Sequence, residues 1–307
     1  YYVSKMSFFG IIKYAYHKSN YVLFSYSFLF LSALALSIFM SNRINLYSDL
    51  VLAIKKSQFI PYYQPITDSK GNVVKAEILI RWLHPQKGLL QPKAFINFAE
   101  QHDLIVPITS SLFDRFIIDC TYLNKSLPLE GFMFSLNISA QHLSKDHGSM
   151  LYSESKKIID NFSDKAILVC FELTETDIIK DLEYGSKLVN SISELGISFA
   201  IDDFGTGNAS FDYLQKIKFD FIKIDRSFVS KVISDDKASR VVKGILNFSK
   251  ALDLLVISEG IETEEQLNFL QKIGVNYYQG YLFSKPLSAK DFSKYLKSKH
   301  VEIHPKT

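Results

Sequence analysis

From residue 48 onward, short apolar runs alternate with longer stretches of helical period, and this rhythm persists for about 250 residues. The strand-like runs fall at 59–64, 73–82, 132–138, 166–173, 198–202, 219–224, 254–258 and 277–281. The helix-like stretches fall at 93–101, 107–124, 153–161, 182–195, 210–216, 236–252, 264–273 and 289–297. Strand and helix in such alternation specify an α/β fold, and eight of each suit a closed (β/α)8 barrel. A doubly wound open sheet is the other solution. No GxGxxG follows a strand, so the dinucleotide fingerprint of that alternative is missing.

In such a barrel the functional side chains stand at the carboxyl ends of the strands. The second strand reads "KAEILIRWLHP" over 75–85. Alternation puts Ala76, Ile78, Ile80 and Trp82 on one face, and Glu77, Leu79 and Arg81 on the other. A buried carboxylate needs a cation, a proton or a metal. A surface ion pair between Glu77 and Arg81 is the plainer reading of this stretch taken alone. The other strand ends widen the pattern: Asn137; Glu172 with Glu175 beyond it; Asp202 and Asp203; Lys223 with Asp225; Glu259 with Glu262; and Gln279. Glu175, Asp225 and Glu262 also have a simpler reading as helix caps or ion-pair partners. His84, in "WLHP", reads as a turn residue.

If Glu77, Asn137, Glu172, Asp202, Asp203 and Glu259 converge, their five carboxylates cannot all stay ionised unaided. Oxygen-only ligands select hard divalent cations, Mg²⁺ or Mn²⁺, and this number of oxygens suits two ions. Such a pair activates water for in-line attack on phosphorus. Lys223 would orient that water, and Arg81 would grip a phosphate oxygen.

Composition narrows the alternatives. A net charge of +3 gives no bulk electrostatic case for nucleic acid. Cys120 and Cys170 have no CxxC spacing, and the seven histidines form no HExxH pattern, so neither a disulfide framework nor a histidine zinc site is expected. Residues 21–40, "YVLFSYSFLFLSALALSIFM", carry no charge, and twenty helical residues span about 30 Å. We read them as a transmembrane helix. Lysines lie on both sides, so the charge rule leaves its orientation open. The chain begins Tyr-Tyr, which is compatible with a longer protein continuing upstream of residues 1–20.

Five blocks carry a resemblance to a known family: "YYQPI", "AEILIRWLHPQKGLLQPKAFINFAE", "FELTE", "IDDFGTGNASFDYLQKIKFDFIKIDRSFV" and "SEGIETEEQLNFLQKIGVNYYQGYLFSKPL". In this order the chain resembles the EAL family of cyclic di-GMP phosphodiesterases. The resemblance implies a modified TIM barrel with one strand antiparallel to the rest, preceded here by the transmembrane helix. It implies hydrolysis of cyclic di-GMP to linear pGpG with two Mg²⁺ or Mn²⁺ ions. Glu77, Asn137, Glu172 and Asp202 match ligands of the first ion. Asp202 matches a bridge, with Asp203 and Glu259 on the side of the second. Lys223 matches the lysine at the attacking water, and Gln279 a glutamine near the second water. Gln64, Leu79, Arg81 and Asp225 match substrate-binding positions. Glu175 matches the glutamate that fastens the DDFGTG loop, which Gly205 and Gly207 make flexible.

Two departures stand out: Ile78 replaces the alanine of the signature tripeptide, and Asn208 stands where an aromatic residue is common. Ile78 falls on the helix-facing side and predicts a packing change only. The expected layout is a segment 1–20, a membrane helix 21–40, a linker 41–56, a phosphodiesterase domain 57–298 and a tail 299–307. The resemblance further implies a homodimer, a bacterial inner-membrane location with the barrel in the cytoplasm, and no nucleic-acid duplex as partner. A catalytically silent receptor of cyclic di-GMP is the alternative. An enolase-type lyase would leave the five blocks unexplained.

Overall fold

The computed structural model describes residues 9, 25, 28–32, 46–127, 129–162, 166–175, 179–205 and 211–299. The chain divides into two units, residues 1–52 and 53–307. Most of the expected membrane helix at 21–40 lies outside the described residues. Among the described residues no helix is long and apolar enough to cross a membrane. Residues 46–55, expected to be part of a linker, are helical.

The larger unit opens with β1 (Phe59–Thr67), β2 (Val73–His84) and the short β3 (Gly88–Leu90). The β1–β2 turn is built by Asp68, whose Oδ1 accepts the amides of Lys70 and Asn72, and by Gly71 at φ +83°. The β2–β3 turn is held by His84, whose Nδ1 accepts the amides of Gln86 and Lys87 at 3.1 Å each. Helices α1 (Ile96–Gln101) and α2 (Ile105–Asn124) follow, then β4 (Met133–Asn137), α3 (Gly148–Phe162), β5 (Leu168–Thr174), α4 (Leu182–Glu194), β6 (Ser198–Phe204) and α5 (Phe211–Lys216). The chain continues through β7 (Phe221–Ile224), α6 (Arg226–Val229), α7 (Asp236–Ala251), β8 (Leu255–Ser258), α8 (Glu264–Ile273), β9 (Tyr277–Gln279) and α9 (Ala289–Ser298).

Eight strands close into a barrel in the order β1-β9-β8-β7-β6-β5-β4-β2, with β1 pairing back to β2 and β3 attached outside β2. β1 is antiparallel to both its neighbours, while β2 and β4 to β9 are mutually parallel. This is the EAL-type barrel that the resemblance implied.

The helix at 93–101 is shorter than its pattern suggested. A 3₁₀ turn over Pro92–Ala94 precedes α1, and Phe95 between them takes φ −145°. That break buries the Phe95 ring against Phe59 and Trp82, with centroids 5.6 and 5.7 Å away.

Two apolar layers hold the barrel. Ile78 belongs to the outer one, packed with the helices as expected. The inner layer is a plug of Ile66, Met133, Cys170, Ala200, Phe221 and Ile257, with Leu168 and Tyr277 against it. Two residues further toward the open end, on the same faces, stand Gln64, Glu172, Asp202, Lys223, Glu259 and Gln279. The plug is therefore the floor of the site. Lys75 shares that floor, with its Nζ 3.6 Å from the Phe221 ring centroid and 4.3 Å from that of Tyr277.

Candidate active site

Lys223 stands at the centre of the open end and is fully buried. Its Nζ lies 2.6 Å from Glu172 Oε2, 2.6 Å from Glu259 Oε1, 3.2 Å from Asp202 Oδ1 and 3.5 Å from Glu77 Oε2. Four carboxylates thus surround one ammonium. Burial disfavours the charged lysine, but these neighbours win and hold its pKa well above the ordinary value.

The carboxylates answer unequally. Burial pushes Glu77 upward, yet Lys223 and hydrogen bonds from Gln279 and Asn137 outweigh it and hold the group low. Burial lifts Glu172 to about 8, with Lys223 opposing and the charges of Glu77 and Asp202 adding. Burial also raises Asp202 and Glu259 against the pull of Lys223. Asp203 reaches about 6 through burial and the neighbouring charges of Asp202 and Asp225. One ammonium does not balance the cluster.

The acids form two triplets. Oxygens of Glu77, Glu172 and Asp202 lie within 4.8 Å of one another, and so do those of Asp202, Asp203 and Glu259. Asp202 is common to both, as a bridging ligand must be. In a regular strand, Asp202 and Asp203 would face opposite ways. Asp203 instead takes φ +54°, and its amide donates to Asp202 Oδ1 at 2.9 Å, so both carboxylates serve one centre. Glu172 Oε1 is buried without a hydrogen-bond partner. An acceptor so placed, among hard oxygen donors with excess negative charge, fits divalent cations.

Glu77 is gripped from both sides. Asn137 Nδ2 donates to its Oε1 at 3.0 Å, and Gln279 Nε2 donates to its Oε2 at 2.6 Å. Gln279 also donates to Gln64 Oε1 at 3.2 Å, and Gln64 Nε2 donates to the Ser284 carbonyl at 3.3 Å. Gln279, expected near the second water, thus also holds Glu77. Arg81 makes no ion pair with Glu77; its Nη1 donates to the Ile80 carbonyl at 2.9 Å, and its Cζ lies 5.4 Å from the Tyr62 ring centroid. The plain neutralising role is thus not what the structure shows.

Glu175 Oε2 accepts the Gly205 amide at 2.7 Å, and the Glu175 amide donates to the Asp202 carbonyl at 2.9 Å. Glu175 thus ties the end of β5 to the end of β6. Gly207 and Asn208 lie outside the described residues. Asp225 caps α6, its Oδ1 accepting the Ser227 amide at 2.9 Å. Leu79 is half-buried between two cavities that both reach Glu77. One, of about 220 Å³, is walled by Gln64, Arg226, Gly260 and Tyr281. The other, of about 340 Å³, runs from Asn137 and Asp203 to the apolar Ile80, Ile96 and Ile105. Arg226 and Gly260 were not singled out in the sequence, because each lies beyond the end of a strand-like run.

Fold and site together define an α/β barrel whose mouth can hold divalent cations between two flanking cavities. Residues 48–286 match the EAL domain family, and the chain belongs to that family. It is 37% identical over 263 residues to the probable cyclic di-GMP phosphodiesterase PdeN of Escherichia coli K12, covering 85% of this chain and 50% of PdeN. The chain spans about half the length of PdeN and of the similarly matched PdeG. Among solved structures it resembles the EAL enzyme Bd1971 in its cAMP- and cyclic-di-GMP-bound form. That match has 32% identity and a TM-score of 0.74, and covers 84% of this chain and 69% of that one. It also resembles the PaMucR phosphodiesterase in complex with cyclic di-GMP, at 29% identity and TM-score 0.70, over 81% of this chain and 99% of that one.

Proposed function

We propose that the protein hydrolyses cyclic di-GMP to linear pGpG. The observation that carries this reading is the pair of carboxylate triplets sharing Asp202 around a buried lysine. Two divalent cations, Mg²⁺ or Mn²⁺, held by Glu77, Asn137, Glu172 and Asp202 and by Asp202, Asp203 and Glu259, would supply an activated water and neutralise phosphate charge. Lys223 keeps its proton and offers hydrogen bonds where water and phosphate meet the acids. Arg81 holds a phosphate oxygen, and its burial strengthens that contact. Gln279 and Asn137 hold Glu77 ionised and oriented. Leu79 divides the cavities so that each takes one end of a two-base ligand.

A silent receptor usually lacks one of the acids or the lysine, and here each position is filled. The test incubates the full chain with cyclic di-GMP and Mg²⁺, Mn²⁺ or EDTA and separates the products chromatographically. Cation-dependent pGpG, lost in Glu77→Ala, is expected. Tight binding without turnover would make the protein a receptor.

The reading extends to a site of action at the bacterial inner membrane, with the barrel in the cytoplasm, supported by the uncharged run 21–40 and by where this messenger occurs. Flotation with lipid vesicles tests it, and recovery of the full chain in the unbound fraction counts against it. A homodimer is proposed from the family resemblance. Analytical sedimentation tests it, and a monomer at micromolar concentration would contradict it.

A further inference from the structure

Asp203 and Glu259 belong to the second triplet, but Asp203 stands on β6 and Glu259 directly follows β8, with β7 between those strands. The chain leaving β7 forms α6, four residues long, and both flanking loops press on it. On one side the Phe228 ring fills the space beside Gly205: a Cβ there would lie 2.9 Å from Phe228 Cε2. On the other, the Arg226 stem covers Gly260: a Cβ there would lie 2.2 Å from Arg226 Cγ and 2.5 Å from its Cβ. Gly205 has φ +98° and Gly260 has φ +67°, so neither loop could approach so closely with another residue. α6 itself is fixed by the Asp225 cap and by Val229, which is fully buried.

We propose that α6 is a strut setting the separation of Asp203 and Glu259, with Arg226 as its positioning residue. This rests on the cation-dependent reading above. Gly205 follows Asp203 closely and is clamped by Glu175, and Gly260 directly follows Glu259, whose amide donates to the Ile224 carbonyl at 3.1 Å. Any shift of α6 therefore reaches both acids within two residues. Arg226 Nη2 also pairs with Glu262 Oε1 at 2.6 Å, but those side chains are 58% and 45% exposed. Such a pair contributes little, so the methylene stem on Gly260 carries the contact.

The test is a Mn²⁺ titration of the full chain, by calorimetry and by electron paramagnetic resonance, for wild type, Arg226→Ala and Arg226→Met. Wild type is expected to bind two ions. Arg226→Ala should keep the first within about twofold and weaken the second at least about tenfold. Arg226→Met, which retains a stem without charge, should restore the second to within about threefold. Two ions bound by Arg226→Ala as tightly as by wild type overturn the strut. So does an Arg226→Met variant as weak as Arg226→Ala, which would assign the effect to the ion pair. Fewer than two ions on the wild type would instead overturn the two-cation reading beneath it, and the wild-type titration tells that failure apart.

Discussion

Lys223 Nζ lies 2.6 Å from Glu172 Oε2, and neither side chain touches solvent. The ammonium is the positive charge that makes the surrounding acids tolerable in the cation-free barrel. Removing one partner of such a pair leaves the other uncompensated, at a cost of about 3–5 kcal/mol. Lys223→Met should therefore lower stability by that order at pH 8 without added cation, and Mg²⁺ or Mn²⁺ should return much of it. Hydrolysis should fall by about 10²–10³-fold even with cation present. Chemical denaturation with and without Mn²⁺ measures the first effect; equal stability of variant and wild type in EDTA would contradict it.

The pH dependence follows from the same cluster. Glu172 titrates near 8 and Asp203 near 6, above their ordinary 4.5 and 3.8. In that interval the folded protein holds protons that the unfolded chain has released, so cation-free stability falls as pH rises from 5 to 8. Glu77 is shifted down and acts only below its ordinary value, and Lys223 is shifted up and acts only above its own, so neither reverses the slope. Buried His142, lowered to about 4, opposes it only below about pH 6.5, where Glu172 and Asp203 together outweigh it. Cation binding should release protons and tighten across the same window. Calorimetry in buffers of different ionisation enthalpy reads the release; stability that rises from pH 5 to 8 in EDTA would refute this assignment.

Gly280 follows Gln279 beneath the backbone of Ile261. A Cβ there would lie 2.0 Å from the Ile261 carbonyl oxygen and 2.3 Å from its nitrogen. Backbone cannot yield as a side chain can, so Gly280→Ala should cost about 2 kcal/mol or more and should displace Gln279 from Glu77. Thermal unfolding checks this, and a shift of less than about 1 °C would show that the approach is looser than described.

Glu175 contributes through the Gly205 amide. Glu175→Ala removes the acceptor while leaving the carboxylate triplets in place. Loss of such a supporting contact costs about 10–100-fold in metal affinity or activity. We expect weaker Mn²⁺ binding and lower turnover with a near-native circular dichroism spectrum. Unchanged Mn²⁺ affinity would remove Glu175 from the account.

The barrel and most of the site were legible because each inward strand face repeats one statement: an apolar residue, then a polar one two positions on. Cys170 and Glu172, Ala200 and Asp202, Phe221 and Lys223, and Ile257 and Glu259 all follow it. Lys75 breaks the rule ahead of Glu77, and nothing in the local pattern announces that Phe221 and Tyr277 will cage it. β3 and α6 are too short to show a period. Gln279 was legible as a site residue but not as a partner of Glu77, since that contact joins positions 202 apart along the chain. The role of Arg226 depends on the absent Cβ of Gly260, which appears only once the loops are assembled.

The central claim is that this site directs water onto a phosphorus of cyclic di-GMP. Turnover by the full chain with Mn²⁺ in ¹⁸O-labelled water, read by mass spectrometry, tests it most directly. The account predicts one labelled oxygen on the terminal phosphate of pGpG, and no product in EDTA or from Glu77→Ala. Unlabelled product, product formed in EDTA, or saturable binding without turnover would contradict it.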